Sequence, residues 1–153
     1  MMPSGRCMTT IVAATYDGGV VMGADSRTST GDYVANRATN KITQLTDRIC
    51  ICRSGSAADT QNLSMYLCWF LEQHSMEVGG EPNVGTAARL AQSLVYQNKD
   101  MLQAGLIVAG WDATNGGTVH SIPLGGTALN VPFTIGGSGS AYISGLCDKL
   151  WKV

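Results

Sequence analysis

A chain of 153 residues, 44% hydrophobic and only 14% charged, is long enough for one domain with its own core. Its net charge of −1, with no basic or acidic run, excludes a nucleic-acid footprint, and its longest apolar stretch, Gly105 to Trp111, is far too short to span a bilayer. So little charge on so small a domain predicts a surface partly covered by partners.

The opening residues, Met1-Met2-Pro3-Ser4-Gly5-Arg6-Cys7, lack the apolar segment of a secretory signal. Residues 1–8 read as a short removable leader. Thr9-Thr10-Ile11-Val12-Ala13-Ala14 then starts a strand over 9–15. A threonine that becomes the first residue of a chain carries a nucleophilic hydroxyl beside its own α-amine. That amine has an ordinary pKa of about 7.7–8.0 and can serve as the base.

Asp17-Gly18-Gly19 is a turn signal, and Val20 to Asp25 forms the return strand of a hairpin. Both strands are apolar on both faces, which predicts a sheet covered on each side. A polar loop from Ser26 to Asp32 leads to short strands at Tyr33–Ala35 and Lys41-Ile42. A clear strand follows at Ile49-Cys50-Ile51-Cys52, running into Arg53-Ser54-Gly55-Ser56.

A helix of about twenty residues comes next. Leu63, Tyr66, Leu67 and Phe70 mark its inner stripe, with Ser56 or Asp59 as cap. Gly79-Gly80-Glu81-Pro82 breaks it. A second helix starts near Thr86, with Ala87, Ala88, Ala91, Leu94, Val95 and Leu102 turned inward. Leu106–Ala109 and Val119–Ile122 read as a hairpin about a turn at 112–117, and Phe133–Ile135 as a last strand. Gly136-Gly137-Ser138-Gly139-Ser140 is a tight turn into a further helix. Hairpins flanking a helical pair predict an α+β fold of stacked layers.

Five cysteines, odd in number and without C-x-x-C spacing, read as small buried apolar residues in a reducing compartment. Cys50 and Cys52 alternate along one strand and share a face. Two isolated histidines cannot build a zinc site, which needs about four clustered ligands.

Several residues are candidates for chemistry on their placement alone. Asp25, at a strand end, either caps its turn or orients a cation. Lys41 either lies on a solvated edge or pairs with Asp25, where its ammonium would lower the pKa of a neighbouring hydroxyl. Gly55, between strand and helix, either makes a sharp turn or offers a backbone N–H as an oxyanion donor. Arg53 is a surface charge or the base of a pocket for an acidic side chain. The Gly136–Ser140 turn lacks the ending of a phosphate loop and reads as a turn with serine hydroxyls near a site.

Together, Thr9-Thr10-Ile11, Asp17 to Arg27, Ala35-Asn36-Arg37 with Lys41, Cys52 to Gln61, Ala109 to Asp112 and Ile135 to Ser140 resemble the catalytic beta subunits of the 20S proteasome over about residues 9–148. Arg53 beside Ser54–Asp59 resembles the caspase-like type, which cleaves after acidic residues. The resemblance implies an N-terminal nucleophile hydrolase with an αββα four-layer sandwich, here incomplete at the C-terminus. A short leader at 1–8 would precede a beta-type domain at 9–153.

It implies Thr9 as nucleophile, Asp25 and Lys41 as residues assisting its deprotonation, the Gly55 N–H as oxyanion donor and Ser138 beside the freed amine. Thr28, Arg53 and Ala57 would bind substrate. It implies a threonine endopeptidase made as a zymogen and acting in ubiquitin-dependent protein degradation, with no metal or organic cofactor. Its partners would be other alpha and beta subunits in a double-ring core and unfolded polypeptides, in cytoplasm and nucleus, with no nucleic acid or membrane.

Two departures stand out. Met8 occupies the position before the nucleophile where the family has glycine, and its Cβ would slow self-cleavage; alternatively it is a start residue trimmed by an aminopeptidase. The chain also ends before the family's later helices and strands, and Leu150-Trp151-Lys152-Val153 stops resembling them. An early end predicts an uncovered sheet face and a chain unstable alone. The alternative functions are an inert assembly component of the same particle and an unrelated amidase of similar fold.

Overall fold

The computed structural model describes residues 9–30 and 33–151. The N-terminal hairpin forms as expected, as β1 (Ile11–Tyr16) and β2 (Gly19–Ala24), in register from Ile11 opposite Ala24 to Tyr16 opposite Gly19. β3 (Thr28–Thr30) and β4 (Tyr33–Asn36) make a separate two-stranded ribbon. β5 (Ile42–Thr46) and β6 (Ile49–Gly55) lead into α1 (Ala57–Val78) and α2 (Val84–Gln97). β7 (Ala104–Asp112), β8 (Gly116–Ile122) and the two-residue β9 (Leu129–Asn130) follow. β10 (Phe133–Gly136) runs back along β1, and α3 (Ser140–Leu150) closes the described chain.

Two antiparallel sheets result, β10-β1-β2 and β5-β6-β7-β8-β9. The central strands β6 and β7 of the larger sheet are apolar on both faces, and both faces are buried. Ile51 and Val108 face the helices, where they pack with Leu63, Leu67, Ala91 and Val95. Their neighbours Cys52 and Ile107 face the smaller sheet, packing with Ile11, Ala13 and Val119.

The N-terminal hairpin departs from expectation. Ile11 and Ala13 are buried between the sheets, but Val21 on the outer face is 60% exposed. That hairpin is therefore covered fully on one face only. On its outer face the Trp151 ring stacks on Phe133 of β10 at 5.3 Å, which sets α3 outside the smaller sheet. The layer order is helix, sheet, sheet, helix, the αββα arrangement expected of an α+β chain.

α1 also corrects its predicted stripe. Tyr66 and Phe70 are exposed, whereas Thr60, Leu63, Ser64, Leu67 and Leu71 are buried. Thr60 and Ser64 bury cheaply because each hydroxyl donates to a carbonyl one turn back, Ser56 at 2.9 Å and Thr60 at 2.8 Å. Ser56 is the N-cap, accepting the Asp59 N–H; such caps contribute about 1 kcal/mol. α2 starts two residues earlier than expected. The side chain of Asn83 accepts the Thr86 N–H, and the buried Asp112 accepts the Val84 N–H at 3.1 Å. Leu102 lies beyond the end of α2.

Candidate active site

Thr9 lies two residues before the start of β1 and is 3% exposed. It is held from three sides. Its N–H donates to Ser138 Oγ at 3.2 Å, and its carbonyl accepts the Gly139 N–H at 3.0 Å. Its hydroxyl accepts from Lys41 Nζ at 3.1 Å. The glycine-rich turn after β10 exists to allow this approach: Gly137 has φ +86°, and a Cβ there would stand 2.2 Å from the Thr9 carbonyl oxygen.

Lys41 is buried, and its ammonium also binds both oxygens of Asp25, at 3.0 and 2.9 Å. The edge reading of Lys41 therefore fails, and the pair predicted with Asp25 forms. Both readings of Asp25 are realised at once. Its carboxylate accepts the Thr10 N–H at 2.8 Å and the Arg27 N–H at 3.0 Å, so it fixes the turn and orients the cation together. Burial by itself pushes the Asp25 carboxyl up. The bonds from Lys41, Thr10 and Arg27 outweigh it and hold the carboxyl below its usual range. An ammonium fixed by a carboxylate and in contact with a hydroxyl favours the deprotonated form of that hydroxyl.

β6 delivers the next groups. N–H directions alternate along a strand. The Arg53 N–H donates to the Lys41 carbonyl at 2.9 Å, and the Ser56 N–H points the other way, to the Gln103 carbonyl at 2.9 Å. The Gly55 N–H is thereby aimed to the same side as that of Arg53, where Lys41 and Thr9 stand. Gly55 is required there: its φ is +110°, and a Cβ would meet the Gln103 carbonyl oxygen at 2.0 Å. The sharp-turn reading of Gly55 is thus met, and its N–H is left facing the side of Thr9.

Two cavities meet at Thr9, Ser54 and Gly55. The smaller is lined further by Thr28, Thr39, Lys41, Arg53, Ala57 and Gln61. Arg53 is only 9% exposed, so it is no surface charge. One terminal nitrogen donates to the Asn40 carbonyl at 2.8 Å, while the buried Nε has no partner among the described residues. Burial lowers the pKa of this guanidinium. Thr28 and Thr39 share a hydrogen bond of 2.8 Å beside it. An unpaired buried N–H on a cation, next to two hydroxyls, suits a carboxylate. The larger cavity is apolar, with Leu106, Ile107, Ile122 and Leu124 in its walls.

The residues predicted for the site, Thr9, Asp25, Lys41, Gly55 and Ser138, with Thr28, Arg53 and Ala57 at the pocket, are thus brought together. Sequence reasoning missed Thr39 and Gln61. Both had a signal: Thr39 is two residues before Lys41 on the same side of an extended segment, and Gln61 is four after Ala57 on one helix face. The described cysteines are free thiols. Burial, then the neighbouring Cys50, pushes the Cys52 pKa up to about 12, as expected of an inert core thiol. Cys7 lies outside the described residues.

Two facing antiparallel sheets between helical layers, with a threonine hydroxyl at the head of an inner strand, define the N-terminal nucleophile hydrolase sandwich. The chain belongs to the proteasome subunit family, on its beta side: the family model "Proteasome subunit" matches residues 8–153. Among curated relatives it is 59% identical over 144 residues to proteasome subunit beta type-6 of Arabidopsis thaliana, covering 94% of this chain and 62% of that protein. The match to beta type-6 of Dictyostelium discoideum is 60%, covering 94% of this chain and 67% of that one. That to beta type-1 of Saccharomyces cerevisiae is 51%, covering 94% and 66%. The chain therefore spans 62–67% of the length of these relatives.

Proposed function

We propose that this chain is a threonine endopeptidase subunit of the 20S proteasome core, of the caspase-like type, cleaving unfolded polypeptides after acidic residues. The observation that carries the proposal is the contact of 3.1 Å between Lys41 Nζ and Thr9 Oγ1, with the same ammonium bound to Asp25. Release of residues 1–8 frees the Thr9 α-amine next to Ser138. The Thr9 hydroxyl attacks the scissile carbonyl carbon and passes its proton to that amine, while Lys41 stabilises the oxygen that loses it. The tetrahedral oxyanion takes the Gly55 N–H. Collapse breaks the C–N bond, and the departing amine receives the proton. Water then attacks the acyl ester by the reverse transfers and releases the carboxylic acid.

Arg53 supports the acidic preference. A substrate carboxylate reaching its Nε–H would satisfy a buried donor that has no partner among the described residues. The partners under this reading are other alpha and beta subunits of a double-ring core, in cytoplasm and nucleus.

One observation favours a second reading, an inert assembly component of the same particle: Met8 precedes Thr9 where a glycine would ease self-cleavage. The assembled protein is treated with an acidic-peptide epoxyketone, and the adduct is located by mass spectrometry. An adduct on Thr9 is expected. A chain that keeps residues 1–8 and takes no label establishes the inert component instead.

A further inference from the structure

Ser54 stands between the two cavities, 9% exposed, and its hydroxyl donates to the Gly105 carbonyl across the β6–β7 pair at 2.8 Å. Glycine at 105 leaves the room for it: a Cβ there would lie 2.8 Å from Ser54 Oγ. On the other side of Gly55, the Ser56 N–H is tied to the Gln103 carbonyl at 2.9 Å. The peptide that carries the Gly55 N–H is therefore flanked by two ties, the Ser54 hydroxyl to β7 and the Ser56 N–H to the residue just before β7, in addition to the β6–β7 ladder.

We propose that Ser54 is a positioning residue for the Gly55 oxyanion donor. A backbone N–H stabilises a tetrahedral oxyanion only if its direction is fixed before the charge develops. The main-chain tie at Ser56 fixes one end of the segment. On the other side the β6–β7 ladder holds Ser54 opposite Gly105, but Gly55, with no side chain and a positive φ, is the softest point of that ladder and gains from a further tie. The Ser54 hydroxyl supplies that further tie, its hydrogen directed to the Gly105 carbonyl. The proposal rests on the endopeptidase reading above.

The test uses the assembled particle with kcat normalised to the Thr9 sites titrated by epoxyketone. Loss of one oxyanion donor costs about 10²–10³ in kcat. Loosening one should cost less, about tenfold for Ser54→Ala, with KM for an acidic peptide within about twofold. Ser54→Thr, which keeps the hydroxyl, should restore most of the rate. Gly105→Ala, which crowds the hydroxyl from the opposite strand, should give a similar loss, and the double variant should be no worse than either single one.

A peptide boronate, whose tetrahedral adduct occupies the same donor, should weaken in step with kcat/KM. Unchanged kcat per titrated site in Ser54→Ala, a loss confined to KM, or additive losses in the double variant would overturn the proposal. If the unsubstituted chain takes no adduct at Thr9, the endopeptidase reading falls first and this role falls with it.

Discussion

Lys41 Nζ and Thr9 Oγ1 lie 3.1 Å apart, and both residues are buried. The hydroxyl thus has a fixed cationic neighbour that is itself neutralised by Asp25. Lys41→Met keeps much of the stem and removes the charge. Its expected effect is a fall in kcat of at least about 10²-fold, the lower end of what a positioned proton-transfer partner provides. Particle assembly should be retained. The rate of Thr9 labelling by epoxyketone measures it directly, and labelling at the unsubstituted rate would remove Lys41 from the chemistry.

Asp25 gives a pH prediction. Its folded pKa is held below the ordinary value of about 3.9. A depressed carboxylate stabilises the fold above its unfolded pKa, and that contribution is lost as pH falls through the folded pKa. The difference in melting temperature between the unsubstituted protein and Asp25→Asn should be constant from pH 7 down to about pH 5, then shrink below about pH 4. A difference that already shrinks between pH 7 and pH 5 would contradict the depressed value.

Arg53→Leu should invert the preference at the smaller cavity. A hydrogen bond to a charged group is worth about 1.5–3 kcal/mol. kcat/KM for a peptide with aspartate before the scissile bond should therefore fall by about 10- to 150-fold, while that for leucine rises. The variant removes a buried Nε–H that has no partner among the described residues together with the bond to the carbonyl of the exposed Asn40, which water can replace, so the change in melting temperature should be small. A peptide panel and a thermal melt, run together, check both halves.

Gly55→Ala and Gly145→Ala make a contrasting pair. At 55 the new Cβ meets backbone at 2.0 Å on a φ of +110°, and at 145, inside α3, it meets nothing within 4 Å. The first should destabilise by more than about 3 kcal/mol or prevent assembly. The second should stabilise by up to about 1 kcal/mol. Melting temperatures of the two variants, with the unsubstituted protein beside them, decide it.

The fold was legible where periodicity and punctuation agree. Asp17-Gly18-Gly19 and Gly79-Gly80-Glu81-Pro82 mark real chain reversals, and the apolar runs of β6 and β7 do lie in a sheet buried on both faces. The cover on both faces was expected of the N-terminal hairpin, whose Val21 is exposed, and is found at β6 and β7 instead. The fold was also not legible where polar residues bury by bonding their own helix. Thr60 and Ser64 look like outer positions beside Tyr66 and Phe70, yet they take the inner face because their hydroxyls are satisfied locally.

At the site, placement alone left Asp25, Lys41 and Gly55 each with a structural reading beside the chemical one, and it was the resemblance that joined them with Thr9 and Ser138 into one set. Which edge of Arg53 is left free could not be read in advance. It depends on the Asn40 carbonyl, a main-chain acceptor that carries no side-chain signature. Ser54 was hidden for a related reason: its partner is the carbonyl of Gly105, fifty-one residues away in sequence and visible only once β7 is paired.

The main chain of Arg53 holds the carbonyl of Lys41, while its side chain faces the smaller cavity. One residue thus serves two offices through two separable parts. Exchanging the side chain leaves the amide that braces Lys41 in place, so under the endopeptidase reading the pocket can be recut without moving the ammonium beside Thr9.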